Sequence, residues 1–490
     1  MNDPINILLP DALIMITIVF MILIDTFYKS DSRQVITYLT AIISSIISGV
    51  WFIILMLDPH KYYFFSRMIV IDSLSNVMKS VISFGFTISL IYSRKYLEDR
   101  DLFRSDVFLL GILSLLGQLI MVSGNNFLTL YLGLELMSIS LYALIGLSRE
   151  TIQSSESAIK YYILGALASG FILYGISMLY AATASLDLID VLSVLKSDHV
   201  NNMAVLFGVI FIVSGIAFKL GVVPFHMWVP DVYQGAPTAI TLLISGGPKV
   251  AAFTWGLRFL TIGLLPLADN WQNMFIVLIG LSLLLGNLTG IVQNNIKRML
   301  AYSSISNMGM ILLGLISGVI KGDISSAASA YSSSVFYIIT YFITILGTFG
   351  IIMLISRRDF EAELINDFKG LNKRNPMFAF AMMVMMFSLA GIPPTVGFYA
   401  KLAVLEATVN AGLTWLALLA VITSLFGAFF YLRIIKLIYF DAPQDMTPLA
   451  GYTSNRIILL LNSIAVLGLG LFPSPLLTLC LQTIQNTLLL

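Results

Sequence analysis

The chain has 490 residues, of which 58% are hydrophobic and only 11% are charged, against about 25% charged residues in ordinary soluble proteins. This composition excludes a soluble enzyme, a disordered chain and a nucleic-acid-binding protein, and a net charge of +1 gives no field to attract polyanions. One cysteine and three histidines do not suffice for an internal disulfide, an iron–sulfur cluster or a histidine-rich metal site, so we expect neither metal nor cofactor in this chain.

The apolar segments predict an all-α integral membrane protein. The first apolar run, from residue 5 to about 27, is longer than the 7–15 residues of a signal-peptide core and is therefore expected to be a retained membrane helix. Because about 20 apolar residues cross a bilayer, the whole chain predicts about 14 transmembrane helices joined by short loops. These spans lie near residues 5–27, 36–57, 70–93, 107–123, 126–148, 157–182, 203–223, 236–260, 272–292, 299–320, 327–355, 376–409, 412–440 and 456–484.

The basic residues predict the orientation of these spans. Seventeen lysines and arginines fall in loops after odd-numbered spans, among them Lys297, and only five fall in loops after even-numbered spans, among them Arg258. Loops rich in lysine and arginine stay in the cytoplasm. The odd-numbered loops are therefore predicted to be cytoplasmic, and both termini to lie on the non-cytoplasmic side.

Five lysines remain inside the predicted spans, namely Lys79, Lys160, Lys219, Lys249 and Lys401. Glu135 is the clear acidic residue within a span, and Asp72 and Glu406 lie nearer to span ends. Each central charge costs about 2.5–3.5 kcal/mol on membrane-insertion scales. We therefore expect these charges to face a polar interior and to be functional, the alternative being that they only pair helices with one another.

Helix-breaking residues lie beside three of the lysines. Pro224 follows Lys219, a Gly-Gly-Pro run directly precedes Lys249, and a Gly-Ile-Pro-Pro run precedes Lys401. Interrupted helices in corresponding halves of a chain indicate a transporter repeat. The sequence thus predicts two inverted five-helix repeats, spans 4–8 and 9–13, with broken helices 7 and 12. The predicted segments are an N-terminal three-helix segment (1–106), a first repeat (107–262), a second repeat (263–440) and a C-terminal helix (441–490).

The charges and hydroxyls predict a route for protons. A lysine–glutamate pair that can separate or be joined by water can load and release a proton, because burial disfavours the ammonium and the carboxylate favours it. Glu135 and Lys219 are candidates for this pair, and Lys249 and Lys401 for passing the proton on through hydroxyls and water. Helical spacing places further polar side chains on the inner faces, namely Ser138, Tyr142, Thr238, Thr241, Ser245, Ser303, Ser306, Asn307, Ser334, Tyr337 and Tyr341.

Four stretches carry a resemblance to a known family. They are LYLGLELMSISLYAL from Leu130, FKLGVVPFHMWVPDVYQGAPTAI from Phe218, IKRMLAYSSISNMG from Ile296 and SLAGIPPTVGFYAKLAVL from Ser388. Over residues 70 to 440 the chain resembles the antiporter-like membrane subunits of respiratory complex I, an NADH:quinone oxidoreductase. The run Asp231-Val232-Tyr233-Gln234-Gly235-Ala236-Pro237 is similar to the N-type subunit rather than to the L or M types.

This resemblance implies a proton-translocating subunit without redox centres of its own, driven by quinone reduction in other subunits. It places Glu135, Lys160, Lys219, Lys249 and Lys401 at the family's proton-transfer positions. His226, in PFHMW, is either a structural histidine or a proton relay. Asn307 stands where many relatives carry histidine, and Asp72 and Lys79 match no role.

The resemblance also implies partners and a location. NADH, FMN, iron–sulfur clusters and quinone are expected in partner subunits, and L/M-type and K-type membrane subunits as neighbours, in the bacterial inner membrane. Two other hypotheses remain open. The chain could be a subunit of an Mrp-type cation/proton antiporter, or a scaffold whose charges are merely paired.

Overall fold

The computed structural model describes residues 4–28, 32–148, 151–197, 202–320, 322–443, 445–447, 449 and 452–488. The first half of the described chain contains eleven α-helices and one small antiparallel hairpin. In chain order they are α1 (Pro4–Phe27), α2 (Arg33–Leu55), β1 (Tyr62–Phe64), β2 (Ile69–Ile71), α3 (Ser73–Asp99), α4 (Ser105–Ser123), α5 (Phe127–Ile145), α6 (Ile152–Thr183), α7 (Leu188–Leu195), α8 (Asn202–Leu220), α9 (Trp228–Gly235), α10 (Thr238–Ser245) and α11 (Gly247–Arg258).

The second half is helical throughout. A π-helical turn (Phe259–Gly263) and a 3₁₀ turn (Leu265–Leu267) lead into it, and a second 3₁₀ turn lies at Ile365–Phe368. The helices are α12 (Ala268–Ile291), α13 (Ile296–Ile316), α14 (Ala327–Ile355), α15 (Leu371–Arg374), α16 (Pro376–Ala390), α17 (Val396–Asn410), α18 (Thr414–Phe440), α19 (Thr453–Leu471) and α20 (Ser474–Leu488).

Within the described ranges, twelve helices are long and apolar enough to cross a membrane. They are α1 to α6, α8, α12 to α14, α18 and α19. α13 and α14 are almost completely enclosed by other helices, whereas only about a third of the residues in α1 and α19 are buried. The polar residues predicted on spans 10 and 11 therefore lie on the most enclosed helices, where the surrounding helices separate them from lipid.

Three predicted spans are each divided into two helices. The span predicted at 236–260 is α10 and α11, which meet at Gly246, and the span predicted at 376–409 is α16 and α17. The predicted C-terminal helix is likewise two helices, α19 and α20, separated by Phe472 and Pro473. Proline lacks an N–H group and cannot continue the hydrogen-bond ladder, which accounts for this last break.

The breaks after α8 and after α16 have the same geometry. Gly221 and Gly391 follow the two helices with φ of +75° and +80°, a left-handed conformation that favours glycine. The N–H groups of Gly221 and of the next residue both donate to the carbonyl of Ala217, each at 2.9 Å. The N–H groups of Gly391 and of the next residue donate in the same way to the carbonyl of Phe387, each at 2.9 Å. The helices of spans 7 and 12, which the sequence predicted to be broken, thus end in one repeated motif.

Candidate functional site

The predicted pair of Glu135 and Lys219 lies between α5 and α8. Lys219 is 6% exposed, and its Nζ donates a hydrogen bond to Ser138 Oγ at 2.8 Å. Ser138 lies one turn beyond Glu135 on α5, as the sequence pattern indicated. Glu135 is close enough to interact electrostatically with Lys219, but Glu135 Oε1 is buried without a hydrogen-bond partner in the described chain. The two groups therefore share one site without a direct ion pair, and a serine hydroxyl lies beside them.

Lys249 lies in the first turn of α11, directly after the break at Gly246, and is 1% exposed. Its Nζ donates to Ser304 Oγ on α13 and lies 5.4 Å from the ring centroid of Tyr233 on α9. The hydroxyls of Tyr233 and of Tyr341, on α14, lie near the same serine but form no hydrogen bond within the described chain. Across the described residues no carboxylate lies within ion-pair distance of this ammonium. Lys249 is thus hydrogen-bonded to a serine hydroxyl and not to a carboxylate.

A hydrogen-bonded polar cluster follows on α13. Tyr337 donates to Asn307 Oδ1 at 2.9 Å, and Asn307 Nδ2 donates to the carbonyl of Ser303 at 2.8 Å. The hydroxyls of Ser303 and Tyr431 lie 2.5 Å apart, which joins α13 to α18. Asn307 therefore occupies the centre of a continuous chain of polar groups, at the position where a histidine was expected from relatives.

Lys401, in the second turn of α17, reaches back over the break. Its Nζ donates to the carbonyl of Ala390, the last residue of α16, at 2.8 Å. The final carbonyls of a helix have no partner within the helix and carry partial negative charge, so this position favours an ammonium. Lys219 likewise lies in the last turn of α8. Both lysines are therefore placed at helix ends created by the breaks.

A substitution at Gly391 tests whether the break between α16 and α17 positions Lys401. A Cβ added at Gly391 would lie 2.7 Å from Lys401 Cδ, and its φ of +80° would cost alanine about 1–2 kcal/mol. We expect Gly391→Ala to lower both the melting temperature and the rate of proton translocation. Gly412→Ala is the matched control, because Gly412 has φ of +77° with nothing within 4 Å of an added Cβ. Equal losses of proton translocation in the two variants would contradict the placement of Lys401 by this break.

Lys160 is not an interior charge, and that prediction is wrong. Its side chain is 43% exposed and forms ion pairs with Glu156 at 2.7 Å and Asp231 at 2.8 Å. Arg298 completes the cluster with a 2.8 Å bond to Asp231. α6 begins five residues earlier than predicted, at Ile152, so Lys160 lies near a helix end. An open cavity of about 170 Å³ adjoins the cluster, lined by Gln153, Glu156, Ser157, Lys160, Asp231, Gln234 and Gly235.

His226 lies in the turn between α8 and α9 and is half-buried. Its Nδ1 is buried and has no hydrogen-bond partner in the part of the chain that the structure describes. The neighbouring Trp228 donates from Nε1 to the carbonyl of Phe218 at 2.9 Å, which ties the turn to the end of α8. The two roles predicted for His226, a structural histidine or a proton relay, stay predictions.

Two residues assigned to loops are in fact buried. Arg258, the last residue of α11, is 1% exposed and forms a double hydrogen bond with Asp72, with both distances 2.9 Å. Lys297, on α13, is 2% exposed. It pairs with Glu363 at 2.8 Å and donates to the carbonyl of Ala236 at 3.1 Å. Both were assigned to loops because they lie near helix ends and their partners are distant in sequence. Without a nearby partner, a charged residue at a helix end is predicted to lie in the loop.

Lys79 also has a partner that the sequence analysis missed. It is completely buried on α3 and pairs with Asp11 of α1 at 2.7 Å. The available signal was an aspartate inside the first predicted span, since carboxylates within spans are rare and usually paired. Lys79 therefore pairs two N-terminal helices.

Polar residues also line a larger cavity, of about 450 Å³, at the start of α10. Its lining includes Tyr96, Arg100, Pro237, Lys297, Glu361 and Glu363. Lys297 and Glu363 form an ion pair here, as do Arg100 and Glu361. This cavity can hold water beside the first turn of α10, the first half of the broken helix α10–α11 that carries Lys249.

Comparisons with known proteins identify the family of the chain. The family model described as NADH:quinone oxidoreductase/Mrp antiporter, TM, matches residues 124–427. The chain is 65% identical over 489 residues to NADH-quinone oxidoreductase subunit N of Paraburkholderia phymatum, and 99% of each chain is covered.

Solved structures show the same fold. A chain of respiratory complex I from Thermus thermophilus with bound aureothin has a TM-score of 0.80 and 25% identity, covering 96% of this chain and 98% of that one. A chain of the Mrp complex from Dietzia sp. DQ12-45-1b has a TM-score of 0.84 at 19% identity, covering 99% and 98%; this likeness shows the fold alone. The chain belongs to the NADH:quinone oxidoreductase/Mrp antiporter family of membrane subunits, within which it is a relative of subunit N.

Proposed function

We propose that this chain is the N-type proton-translocating membrane subunit of a bacterial NADH:quinone oxidoreductase, driven by quinone reduction in other subunits. Full-length identity of 65% to a subunit N supports this assignment over an Mrp-type antiporter subunit. The observation that carries the mechanism is Lys249, a buried ammonium whose Nζ donates to a serine hydroxyl and has no carboxylate within ion-pair distance in the described chain. A charge so placed is costly in a membrane interior, and it is therefore expected to have a function.

We infer a route in which protons move between the lysines through hydroxyls, amides and water. Ser138 accepts a hydrogen bond from Lys219 and donates its own to the carbonyl of Leu134 at 2.7 Å, so in this route its hydroxyl must turn from that carbonyl to Glu135 or to water. Ser304, with Tyr233 and Tyr341, serves Lys249 in the same way. The chain of polar groups around Asn307 joins this region to α18, and Lys401 lies at the break beyond it.

The exposed cluster is assigned a different role in this route. Lys160, Glu156 and Asp231 adjoin an open cavity, so they would exchange protons with solvent instead of storing one in the interior. Arg298 remains charged and fixes Asp231. His226, beside the end of α8, would be the relay between this side of the chain and Lys219.

The fold supports 14 spans arranged as two inverted five-helix repeats. When α10–α11 and α16–α17 are each counted as one broken span, and α19–α20 as the last span, the described helices give this number. Identical helix endings at Gly221 and Gly391 support the correspondence of spans 7 and 12. The proposed segments remain 1–106, 107–262, 263–440 and 441–490, the last now containing two helices.

Orientation and partners follow from the same assignment. Removing the buried Arg258 and Lys297 from the loop counts leaves the excess of basic residues after odd-numbered spans in place. We therefore propose cytoplasmic odd-numbered loops, termini on the non-cytoplasmic side and a bacterial inner-membrane location. The flavin, the iron–sulfur clusters and the quinone site would belong to partner subunits, and L/M-type and K-type subunits would be neighbours in the membrane.

Purification from native membranes tests the assignment. We expect a tagged chain to be isolated together with flavin- and iron–sulfur-containing proteins and with NADH-dependent quinone reduction. A chain that is isolated without them, and that exchanges sodium for protons by itself in liposomes, would contradict the proposal and favour the antiporter function.

A further inference from the structure

α3 lies antiparallel to the broken helix α10–α11 and contacts it at both ends. At one end, Asp72 precedes α3 and Arg258 is the last residue of α11. Arg258 Nη1 and Nη2 each donate to one oxygen of Asp72 at 2.9 Å, and both residues are at most 2% exposed. Asp72 also caps α3, because Ser75 N donates to Oδ1 at 2.9 Å. One carboxylate therefore fixes the start of α3 and the end of α11 together.

The other end is joined through Tyr96, in the last turns of α3. Its hydroxyl accepts a hydrogen bond from the backbone N–H of Thr238, the first residue of α10, at 2.9 Å. The same hydroxyl donates to Glu361 Oε1 at 3.0 Å, and Thr238 Oγ1 donates to this carboxylate oxygen at 2.5 Å. Since the first N–H groups of a helix have no partner within it, Tyr96 satisfies one of them and fixes where α10 begins.

A third contact lies at the break itself. A Cβ added at Gly85 of α3 would lie 2.2 Å from the ring of Phe342, and one added at Gly246 would lie 2.1 Å from the same ring. The ring of this α14 residue is therefore held between α3 and the break. Both glycines are needed for this close approach.

The spacing of these contacts along α3 can hold α10 and α11 in a fixed position relative to each other. At about 1.5 Å per residue, α3 extends about 36 Å from Asp72 to Tyr96, and a continuous helix from Thr238 to Arg258 would extend about 30 Å. The break interrupts the hydrogen-bond ladder of α10–α11, so the relative position of its halves depends on neighbouring helices. Lys249, which must reach Ser304 on α13, lies on the half held by Arg258.

We propose that Asp72, Arg258 and Tyr96 are positioning residues for proton transfer: α3 acts as a splint that aligns the broken helix and holds Lys249 against Ser304. This inference rests on the proposed function of Lys249 as a proton carrier. It gives Asp72 a role that the family resemblance did not supply.

The test removes the ion pair without leaving a buried charge unpaired. Removing one partner of a buried pair is strongly destabilising, whereas replacing both is often tolerated. Asp72→Asn/Arg258→Met removes both charges and keeps a side chain able to cap α3. The matched control is Asp11→Asn/Lys79→Met, which removes an equally close ion pair from the same helix on its side facing α1.

Protons translocated per electron are measured with the purified complex in proteoliposomes. We expect this ratio to fall at least twofold in Asp72→Asn/Arg258→Met, with a changed pH profile of translocation, and to stay at the wild-type value in the control. Arg258→Lys should retain part of the ratio because it keeps the charge. If the double variant fails to assemble, Tyr96→Phe, which loses one hydroxyl, should still lower the ratio.

An unchanged ratio in Asp72→Asn/Arg258→Met, or an equal fall in the control pair, would overturn the splint. Should the double variant not assemble, a wild-type ratio in Tyr96→Phe would overturn it. Lys249→Ala separates this result from the parent proposal. A low ratio in Lys249→Ala with a normal one in the splint variants would leave the proposed function standing and reject the splint. A normal ratio in Lys249→Ala would reject both.

Discussion

Lys219→Ala is expected to lower proton translocation by about tenfold or more, because a positioned proton-transfer group typically contributes about 10²–10⁴-fold, and to lower coupled NADH:quinone turnover less steeply, so that fewer protons move per electron. The substitution removes the ammonium that donates to Ser138 and leaves Glu135 without the cation it interacts with. Turnover is measured as NADH oxidation with quinone in sealed membranes, and translocation with a pH-sensitive dye.

Lys436→Ala is the control for Lys219→Ala. Lys436 has a 62% exposed side chain, paired with Asp441 at 2.6 Å, so its loss removes a surface charge only. Exposed pairs contribute roughly 0–1 kcal/mol to stability, and we expect nearly normal turnover. Wild-type turnover in Glu135→Gln together with Lys219→Met would favour the scaffold hypothesis.

Lys249→Arg is expected to be as defective as Lys249→Met, with a loss of about tenfold or more in translocation. Arginine keeps the positive charge but does not release its proton in proteins, whereas methionine fills similar space without charge. If Lys249 only balanced charge or packed helices, arginine would function better than methionine. The readout is translocation by complexes that are assembled to wild-type amounts.

Ser304→Ala extends this comparison to the hydroxyl that accepts from Lys249. It should have a smaller effect than either lysine substitution, because Tyr233 and Tyr341 offer further hydroxyls beside it.

Near-normal translocation in Lys249→Arg would contradict proton release by Lys249.

Much of the membrane architecture was predictable because hydropathy and helix breakers are local signals. Runs of about 20 apolar residues located the long helices. Helix-breaking residues lie beside Lys219, Lys249 and Lys401, although only helices 7 and 12 were predicted to be broken. Helical spacing also placed Ser138 on the face of Glu135, because residues three and four apart share a side of a helix. The family resemblance added the roles of these residues, which spacing by itself does not give.

Pairing between distant helices was not predictable from one sequence. Asp72 and Arg258 are 186 residues apart, and no local pattern joins them. Arg258 and Lys297 lie near helix ends, where a basic residue can reach water or fold inward with equal ease. For Lys160 the error was the opposite one: it was predicted to lie in the interior but is exposed, because α6 extends beyond its apolar core.

The position of Lys249 shows why the composition of the site could be read only from the folded structure. Its hydrogen-bond acceptor Ser304 and the neighbouring Tyr233 and Tyr341 come from three other helices, and only the packing of those helices shows that hydroxyls and not carboxylates lie near the ammonium. The sequence predicted that such a lysine requires a polar interior. The structure adds which polar groups supply it, and in our proposal α3 holds Lys249 against one of them, Ser304.

The central claim is that buried lysines carry protons through this chain, and it is tested by the proton-to-electron ratio of the purified complex in proteoliposomes with both Lys219→Ala and Lys249→Met present. We expect the ratio to fall below the wild-type value while NADH oxidation with an artificial electron acceptor, which needs no proton route through this chain, continues. A wild-type ratio in the complex lacking both ammonium groups would contradict it.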